Sequence, residues 1–582
     1  MARTLRRAVP TAEDKITTVA WRRSDRCAAA VVISDEPTQR VVIGPRGRLV
    51  TWTGYFSGRP DSHRAAALNL LKARDRDAAV DQLGGVFSAA IIDARGAQFH
   101  TGTARVEPVY WCEDEQHVYV SSRALGAHLA ATDGDVPDYD LGALVGLISA
   151  GYFPDESTPF RGAKPLPSAH VLDVTATHVA CRHRRREEVP AGEVPLDDVG
   201  AELAEVLVES CAALPARGPV RCDLTGGKDS RLIAAALRAA GVGFVTQTAG
   251  HPEHPDVVVA RRISDVLGVE HICLSPWADA EHDRDSTVVV RPMTRGRDVV
   301  QLTEGMLSAY ENIAVKLTDA FSPAPVLGGH GGELLRGGFA KYVKELTSDG
   351  AAQFFRRGFQ RYPSLFQDDA FQAYRRRLRP WLRQIRDDPA PGLGAFYLHY
   401  RAGRWSAAAR TARTTKQDYH QPFFDDRVVT KARRVPIERR LDEQLIHAVL
   451  RHLAPDLVNV PFADHRWRFD TDHPGTAAGH PASETRAPVL VTSNPAATFN
   501  WRLRYGNEVQ EIIAEQVLGD GPSAMLFEVV DRKVVERLLR RAPPRNPRLS
   551  WRLFTASVLL SNTWLKPTTP ARAVEVALPS SE

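Results

Sequence analysis

Sulfur is scarce in this chain of 582 residues, which has six cysteines and four methionines. Cys27, Cys112, Cys181, Cys211, Cys222 and Cys273 stand far apart with no CxxC pair. The simplest reading of that spacing is a cytoplasmic protein with reduced thiols. No apolar run approaches the roughly 20 residues that cross a bilayer, so no membrane partner is expected. The first residues, MARTLRRAVPTAEDK, are basic but lead into no apolar segment, so they do not read as a secretory signal. Neither sign of charge dominates, with 75 basic against 70 acidic residues and a net charge of +5. Two basic clusters stand out, Tyr374–Arg386 and Arg537–Arg552. In the first, the arginines alternate with Leu378, Leu382 and Ile385 at a helical period, which reads as a solvated helix face, so nucleic acid is not an expected partner. The Walker spacing GxxxxGK[ST] and the dinucleotide fingerprint GxGxxG are both missing. Hydrophobic residues make up 43% and charged residues 25%, ordinary for a soluble protein, and the length implies two to four domains.

The most informative stretch is RCDLTGGKDSRLIAAALRAA, Arg221 to Ala240. An apolar strand from Pro219 to Leu224 breaks at Gly226 and Gly227, and after Asp229 the apolar residues recur at helical spacing. In such a strand, tight turn and helix, backbone N–H groups and the positive helix end make an anion site. Leu224, Thr225, Gly226, Gly227, Lys228, Asp229 and Ser230 are its candidate residues. The hydroxyls add donors, and Asp229 can hold a magnesium ion against the same anion.

This loop resembles the SGGxDS loop of the ATP pyrophosphatases, with Thr225 in place of the first serine. The resemblance implies ATP as cofactor, cleavage between the α and β phosphates, and adenylation of a substrate. Further on, VLGGHGGELLRGGF (Val326–Phe339) is similar to the SGEGADELFGGY turn of the asparagine synthetases. That places Gly329 and Gly331 at the α phosphate and gives Glu333 the family's metal-binding acid. The strand GFVTQTAG (Gly243–Gly250) is where the family recognises adenine, through backbone groups of Val245, Thr246, Gln247 and Thr248.

Upstream, residues from about 16 to 180 read as short strands with few helices: TTVAW, AAAVVIS, RVVIGP, RLVTWTGYF, a helix near 65–82, then GVFSAAIIDA, AQFHTGT, VYWCE and HVYVSS. Their order, with GYFSG, LGGVFSAAIID, EPVYW, VYVSSRALGAHL and a closing GYFPDESTPFRGAKPLPSAHVLDV, resembles the glutamine amidotransferase domain of asparagine synthetase. Its chemistry is missing. The family's nucleophilic cysteine corresponds to Ala2, its NGE motif to Thr53, Gly54 and Tyr55, and its RD pair to Thr101 and Gly102. The resemblance therefore implies an inactive domain kept for its shape, as in the β-lactam synthetases and the lasso peptide cyclases.

The expected fold is α/β and multidomain. Residues 1–180 form an N-terminal Ntn-type α+β sandwich, residues 181–198 a linker, and residues 199–582 a doubly wound PP-loop ATP pyrophosphatase domain with added helices and a mobile insertion near 470–498. The family's third segment appears as DYHQPFFDDRVV (Asp418–Val429). By likeness to the β-lactam synthetases, His330 and Asp418 form a catalytic dyad that deprotonates an amine, and Arg466 or Arg468 stands in for a lysine that stabilises the tetrahedral intermediate.

The implied activity is ATP-dependent, Mg2+-assisted amide formation between a carboxylate and an internal or second amine. Cyclisation of a precursor peptide, with leader-binding or protease partner proteins, is the leading specific reading. Lactam closure, an ammonia-dependent reaction, a tRNA-modifying PP-loop enzyme and an inactive scaffold stay open at this point.

Overall fold

The computed structural model describes residues 17–24, 27–33, 40–57, 60–184, 194–214, 218–275, 283–284, 287–313, 322–472, 488–489, 498–541, 543–565 and 571–579. Ala2, half of the expected linker and most of the expected insertion near 470–498 lie outside the described residues.

In the N-terminal part, Val179–His183, His170–Val174, Ala97–His100, Gly85–Ile92, Leu49–Phe56 and Val41–Ile43 form one antiparallel sheet in that order. The Gly85–Ile92 strand is buried along its whole length, so both faces of the sheet are covered. On one face Val50, Trp52, Phe56, Phe87 and Ile91 pack against Ala67, Leu70 and Leu71 of the helix Pro60–Lys72. On the other, Tyr55 and Val86 meet Leu334, Leu398 and Phe424. Alternation along the strands thus ties this sheet to the part of the chain that carries the glycine-rich turns. The helix expected over 65–82 is two helices, Pro60–Lys72 and Arg76–Gln82, because the Asp75 side chain accepts from the Ala78 N–H and caps a new start.

A second sheet is parallel throughout, in the order His271–Leu274, Phe244–Ala249, Val220–Asp223, Ser322–Leu327, Gln417–His420. The first three strands in sequence build outward one way from Val220–Asp223, and the last two build the other way. Order therefore reverses between Val220–Asp223 and Ser322–Leu327, the place where a doubly wound sheet opens a crevice beyond its strand ends. The helix Lys228–Ala239 returns across the sheet with every residue from Leu232 to Leu237 inaccessible to solvent. Near the crevice this helix is fixed by Arg231, whose guanidinium donates to the carbonyls of Leu457, Val460 and Pro461 at 3.1, 2.6 and 2.7 Å.

Helices Pro292–Thr303, Ser348–Phe359, Asp368–Asp387, Asn507–Leu518 and Pro547–Leu560 surround a further core. That core also takes in Leu125, Leu144, Ile148 and Phe153, so it runs across the boundary expected near residue 180. On Asp368–Asp387, Phe371, Tyr374, Leu378 and Ile385 are buried while Arg375, Arg376, Arg379 and Arg383 face solvent, as its periodicity predicts. Among the described residues no helix is long and apolar enough to cross a membrane.

Candidate functional site

Both glycine-rich turns leave the C-terminal ends of the two strands at the point of reversal, and they touch. A Cβ on Gly329 would lie 2.5 Å from the Ser230 nitrogen, and one on Gly332 would lie 2.4 Å from Cγ of Asp229. Only residues without a side chain let the second turn lie against the first. Gly332→Ala is accordingly expected to cost about 1–3 kcal/mol, the usual range for forced overpacking. Gly227→Ala, whose Cβ would meet only Thr225 Oγ1 at 3.3 Å, is expected to cost under about 1 kcal/mol. Urea unfolding of the two variants checks the contrast.

Within the first turn the polar groups are satisfied locally. The Gly226 N–H donates to Asp256 Oδ1 at 2.8 Å, the Gly227 N–H to Thr225 Oγ1 at 3.2 Å, and the Thr225 N–H to Ser230 Oγ at 3.0 Å. Leu224 lies on the sheet edge of the turn, its N–H donating to the Gln247 carbonyl. Lys228 points away from the turn: its ammonium donates to Glu443 Oε2 at 2.5 Å and to the Arg466 carbonyl at 2.9 Å, near the rings of Phe462 and Trp467. The phosphate contact expected of Lys228 is therefore replaced by a buried ion pair.

Asp229 and Glu333 lie in one electrostatic neighbourhood. Arg336 donates to Asp229 Oδ2 at 2.5 Å and reaches Glu443 at 3.7 Å, while the Tyr397 hydroxyl donates to Glu333 Oε2 at 3.1 Å. Asp229 Oδ1 is buried without a hydrogen-bond partner. Burial pushes the Asp229 carboxyl up, opposed by Arg336 and reinforced by the like charge of Glu333. For Glu333, burial acts in the same upward direction, but the Lys341 and Arg336 charges outweigh it and hold the carboxyl at about 2. Among the described residues no group of three or more His, Cys, Asp or Glu side chains is placed to hold a metal. Two acids with one orphaned oxygen fit a magnesium ion only as part of its shell, the remainder coming from a ligand such as a phosphate.

The dyad expected between His330 and Asp418 is not formed. Asp418 and Tyr419 are neighbours on the strand Gln417–His420, so their side chains leave opposite faces of the sheet. Asp418 Oδ1 meets His420 Nε2 at 2.9 Å, whereas His330 Nδ1 meets the Tyr419 hydroxyl at 3.1 Å. Tyr419 is buried, with Arg413 3.9 Å from its ring centre, and Arg413 pairs with Asp223 at 2.7 Å. His330 keeps surface open to solvent although the surrounding protein desolvates it and lowers its pKa, so it lies on the wall of a concave site. Its ring faces Trp405, with centroids 6.4 Å apart.

For Arg466 the structure gives a main-chain role, its carbonyl accepting from Lys228; the Arg468 N–H donates to Glu443 Oε2 at 2.9 Å. The stretch Val245–Thr248 is the body of a central strand, paired on both edges. Its side chains are engaged too: Thr246 Oγ1 with Ser264 Oγ, Gln247 Nε2 with Asp223, and Thr248 Oγ1 with the Leu224 carbonyl. Sequence reasoning passed over Arg336, Lys341, Tyr397, Arg401, Glu443 and Tyr419. Of these Arg336 and Tyr419 lay inside motifs, and the charge of Arg336 beside Glu333 was the available signal.

No curated protein matches this chain. The model of the asparagine synthase family matches residues 202–468, a span that holds both glycine-rich turns, Asp229, Glu333, His330 and the Asp418 segment, and stops short of the N-terminal sheet. Over residues 202–468 the chain is similar to the asparagine synthase family.

Proposed function

We propose that the protein is an AMP-forming, ATP-dependent ligase that activates a carboxylate as its acyl adenylate and joins it to an amine carried by the substrate itself. Cyclisation of a precursor peptide of the lasso type is its most specific form. The observation that carries this reading is the contact of two glycine-rich turns at the reversal point, each bringing one acid to the same space. In the first half-reaction a carboxylate oxygen bonds to the α phosphorus, the bond from that phosphorus to the bridging oxygen breaks, and pyrophosphate leaves. In the second, the amine nitrogen bonds to the acyl carbon, AMP departs with the electron pair of the C–O bond, and the amine proton passes to His330. Asp229 and Glu333 would hold a magnesium ion, which supplies positive charge for the phosphate oxygens.

The amine is assigned to the substrate because Ala2 stands where the resembling domain has its nucleophilic cysteine, and Thr53, Gly54, Tyr55, Thr101 and Gly102 stand where it has its glutamine contacts. Arg184 is 1% exposed and fills the space beside Thr101 and Gly102, donating to the Thr101 carbonyl at 3.0 Å and to Asp426 at 2.7 Å. The cavity left beside Gly102 and Glu107 is about 10 Å³, the size of one water. We read this part as an inactive Ntn-type domain retained as a packing surface.

His330→Ala is expected to leave pyrophosphate release intact and slow amide formation by about 100- to 10,000-fold, the span of general-base effects. Single-turnover analysis of both products checks this, and unchanged amide formation would remove His330 from the reaction. The pH profile has a definite sign. Burial lowers the His330 pKa, so the imidazole stays neutral as pH falls through the ordinary histidine range. The amide step should therefore hold its rate there and decline only at lower pH.

A further inference from the structure

Three cations approach the two acids of the cleft, and only one of them is committed. Arg336 is bound to Asp229 and Glu443. Lys341 and Arg401 make no ion pair or hydrogen bond with any described residue; each rests on an aromatic ring instead. The Lys341 ammonium lies 4.8 Å from the ring centre of Tyr342, and the Arg401 guanidinium 3.4 Å from that of Trp405. An aromatic face holds a cation in place without neutralising it.

Both are delivered to the cleft by unusual backbone. Gly337 and Gly338 are both left-handed, with φ of 80° and 59°, and they turn the chain so that Lys341 comes back toward Glu333. Arg401 belongs to Tyr397–Ser406, a stretch wound more widely than an α-helix. In that winding, side chains four apart fall nearly in line, which puts Tyr397, Arg401 and Trp405 along one edge. Tyr397 is bonded to Glu333 and Trp405 faces His330, so Arg401 lies between the acid pair and the histidine. Glu333 feels the charge of Lys341 most strongly, then that of Arg336, and also that of Arg401.

An anion is needed to complete this arrangement. A single carboxylate would satisfy one cation and leave the orphaned oxygen of Asp229 unaddressed. A phosphate chain answers both, because its oxygens take the ammonium and the guanidinium while completing the shell of a metal held by the acids. We propose that Lys341 and Arg401 form the subsite for the β and γ phosphates of the nucleotide and retain pyrophosphate after it leaves. This rests on the nucleotide reading of the cleft. Burial lowers the Lys341 pKa to about 8, so the free protein carries a cation that gains from such a partner.

The test is calorimetric titration of wild type, Lys341→Met and Arg401→Met with sodium pyrophosphate and, separately, with AMP, both with magnesium chloride. Each variant is expected to lose about ten- to a hundredfold in pyrophosphate affinity, as for one charge-assisted contact, with AMP changed by less than about twofold. Lys341→Arg and Arg401→Lys should recover part of the loss, and they decide the matter where a methionine variant fails to fold. Unchanged pyrophosphate affinity in folded variants overturns the subsite, as does an equal loss for AMP. A wild-type chain that binds neither ATP nor pyrophosphate overturns the nucleotide reading itself.

Discussion

Asp229→Asn is expected to reduce pyrophosphate release by at least about 1,000-fold while the fold survives. The substitution keeps the shape of the side chain and one oxygen but removes the charge, and the charge is what the site uses. Asp229 Oδ1 is buried with no hydrogen-bond partner while Oδ2 is paired with Arg336, so one oxygen of the carboxylate is open to a ligand. An amide offers a poorer oxygen ligand and no net charge, and losing one stabilising ionic contact on the reacting phosphates removes several kcal/mol of transition-state stabilisation. Stability moves in the other direction or hardly at all. Burial and the neighbouring Glu333 both work against the Asp229 carboxylate, and Arg336 retains Glu443 when Asp229 is neutral. Pyrophosphate release across a panel of carboxylates, read beside thermal unfolding, separates the two effects. An Asn variant that still binds magnesium ATP and releases pyrophosphate at the wild-type rate would show that the acid pair is structural.

Much of this site was legible because glycine and acid together are a local code. The break at Gly226 and Gly227, flanked by an apolar strand and helical spacing, fixes a strand, turn and helix that the structure reproduces as Val220–Asp223 and Lys228–Ala239. The second turn was found through its likeness to the SGEGADELFGGY turn of the asparagine synthetases. It leads into the short 3-10 helix Gly332–Arg336. What stayed hidden depends on facing and on long-range pairing. A motif matched position by position carried His330 and Asp418 over as a pair, but the alternation of a four-residue strand hands the histidine to Tyr419 instead. Nothing around Glu443 marks it as the partner of Lys228, which lies more than 200 residues earlier. The bond from the Gly226 N–H to Asp256 appears only once two strands are side by side. The N-terminal strands were read correctly as strands. Their docking on Leu334 and Phe424 was out of reach, since a strand pattern shows which residues are buried and not what buries them.

That docking sets up the largest expected effect on stability, at Asp425. The carboxylate is fully buried at the junction and serves both sides of it: Oδ2 accepts from the Gly85 N–H at 2.7 Å and from Ser57 Oγ at 3.1 Å, while Arg427 pairs with it at 3.0 Å. Asp426 does the same one residue on, accepting from the Thr103 N–H at 2.6 Å and from Arg184 at 2.7 Å. Asp425→Ala would strand the buried Gly85 N–H and take the Ser57 acceptor away, while Arg427 keeps Glu209 at 2.6 Å, a loss of about 2–4 kcal/mol by the measure of unsatisfied buried polar groups. Asp425→Asn should cost less, because it keeps an acceptor for Gly85. The pH dependence separates this aspartate from an ordinary ion-paired one. Burial raises its pKa in the fold against the pull of Arg427, so the folded chain holds the proton more tightly than the unfolded chain does. Its contribution to stability is then greatest below the unfolded value and diminishes as pH rises through the folded one. Urea unfolding of wild type, Asp425→Ala and Asp425→Asn across the acid range tests the order of the three and the sign of the slope. An alanine variant as stable as wild type would mean that the N-terminal sheet is held by its apolar face alone, through Tyr55 and Val86 against Leu334 and Phe424.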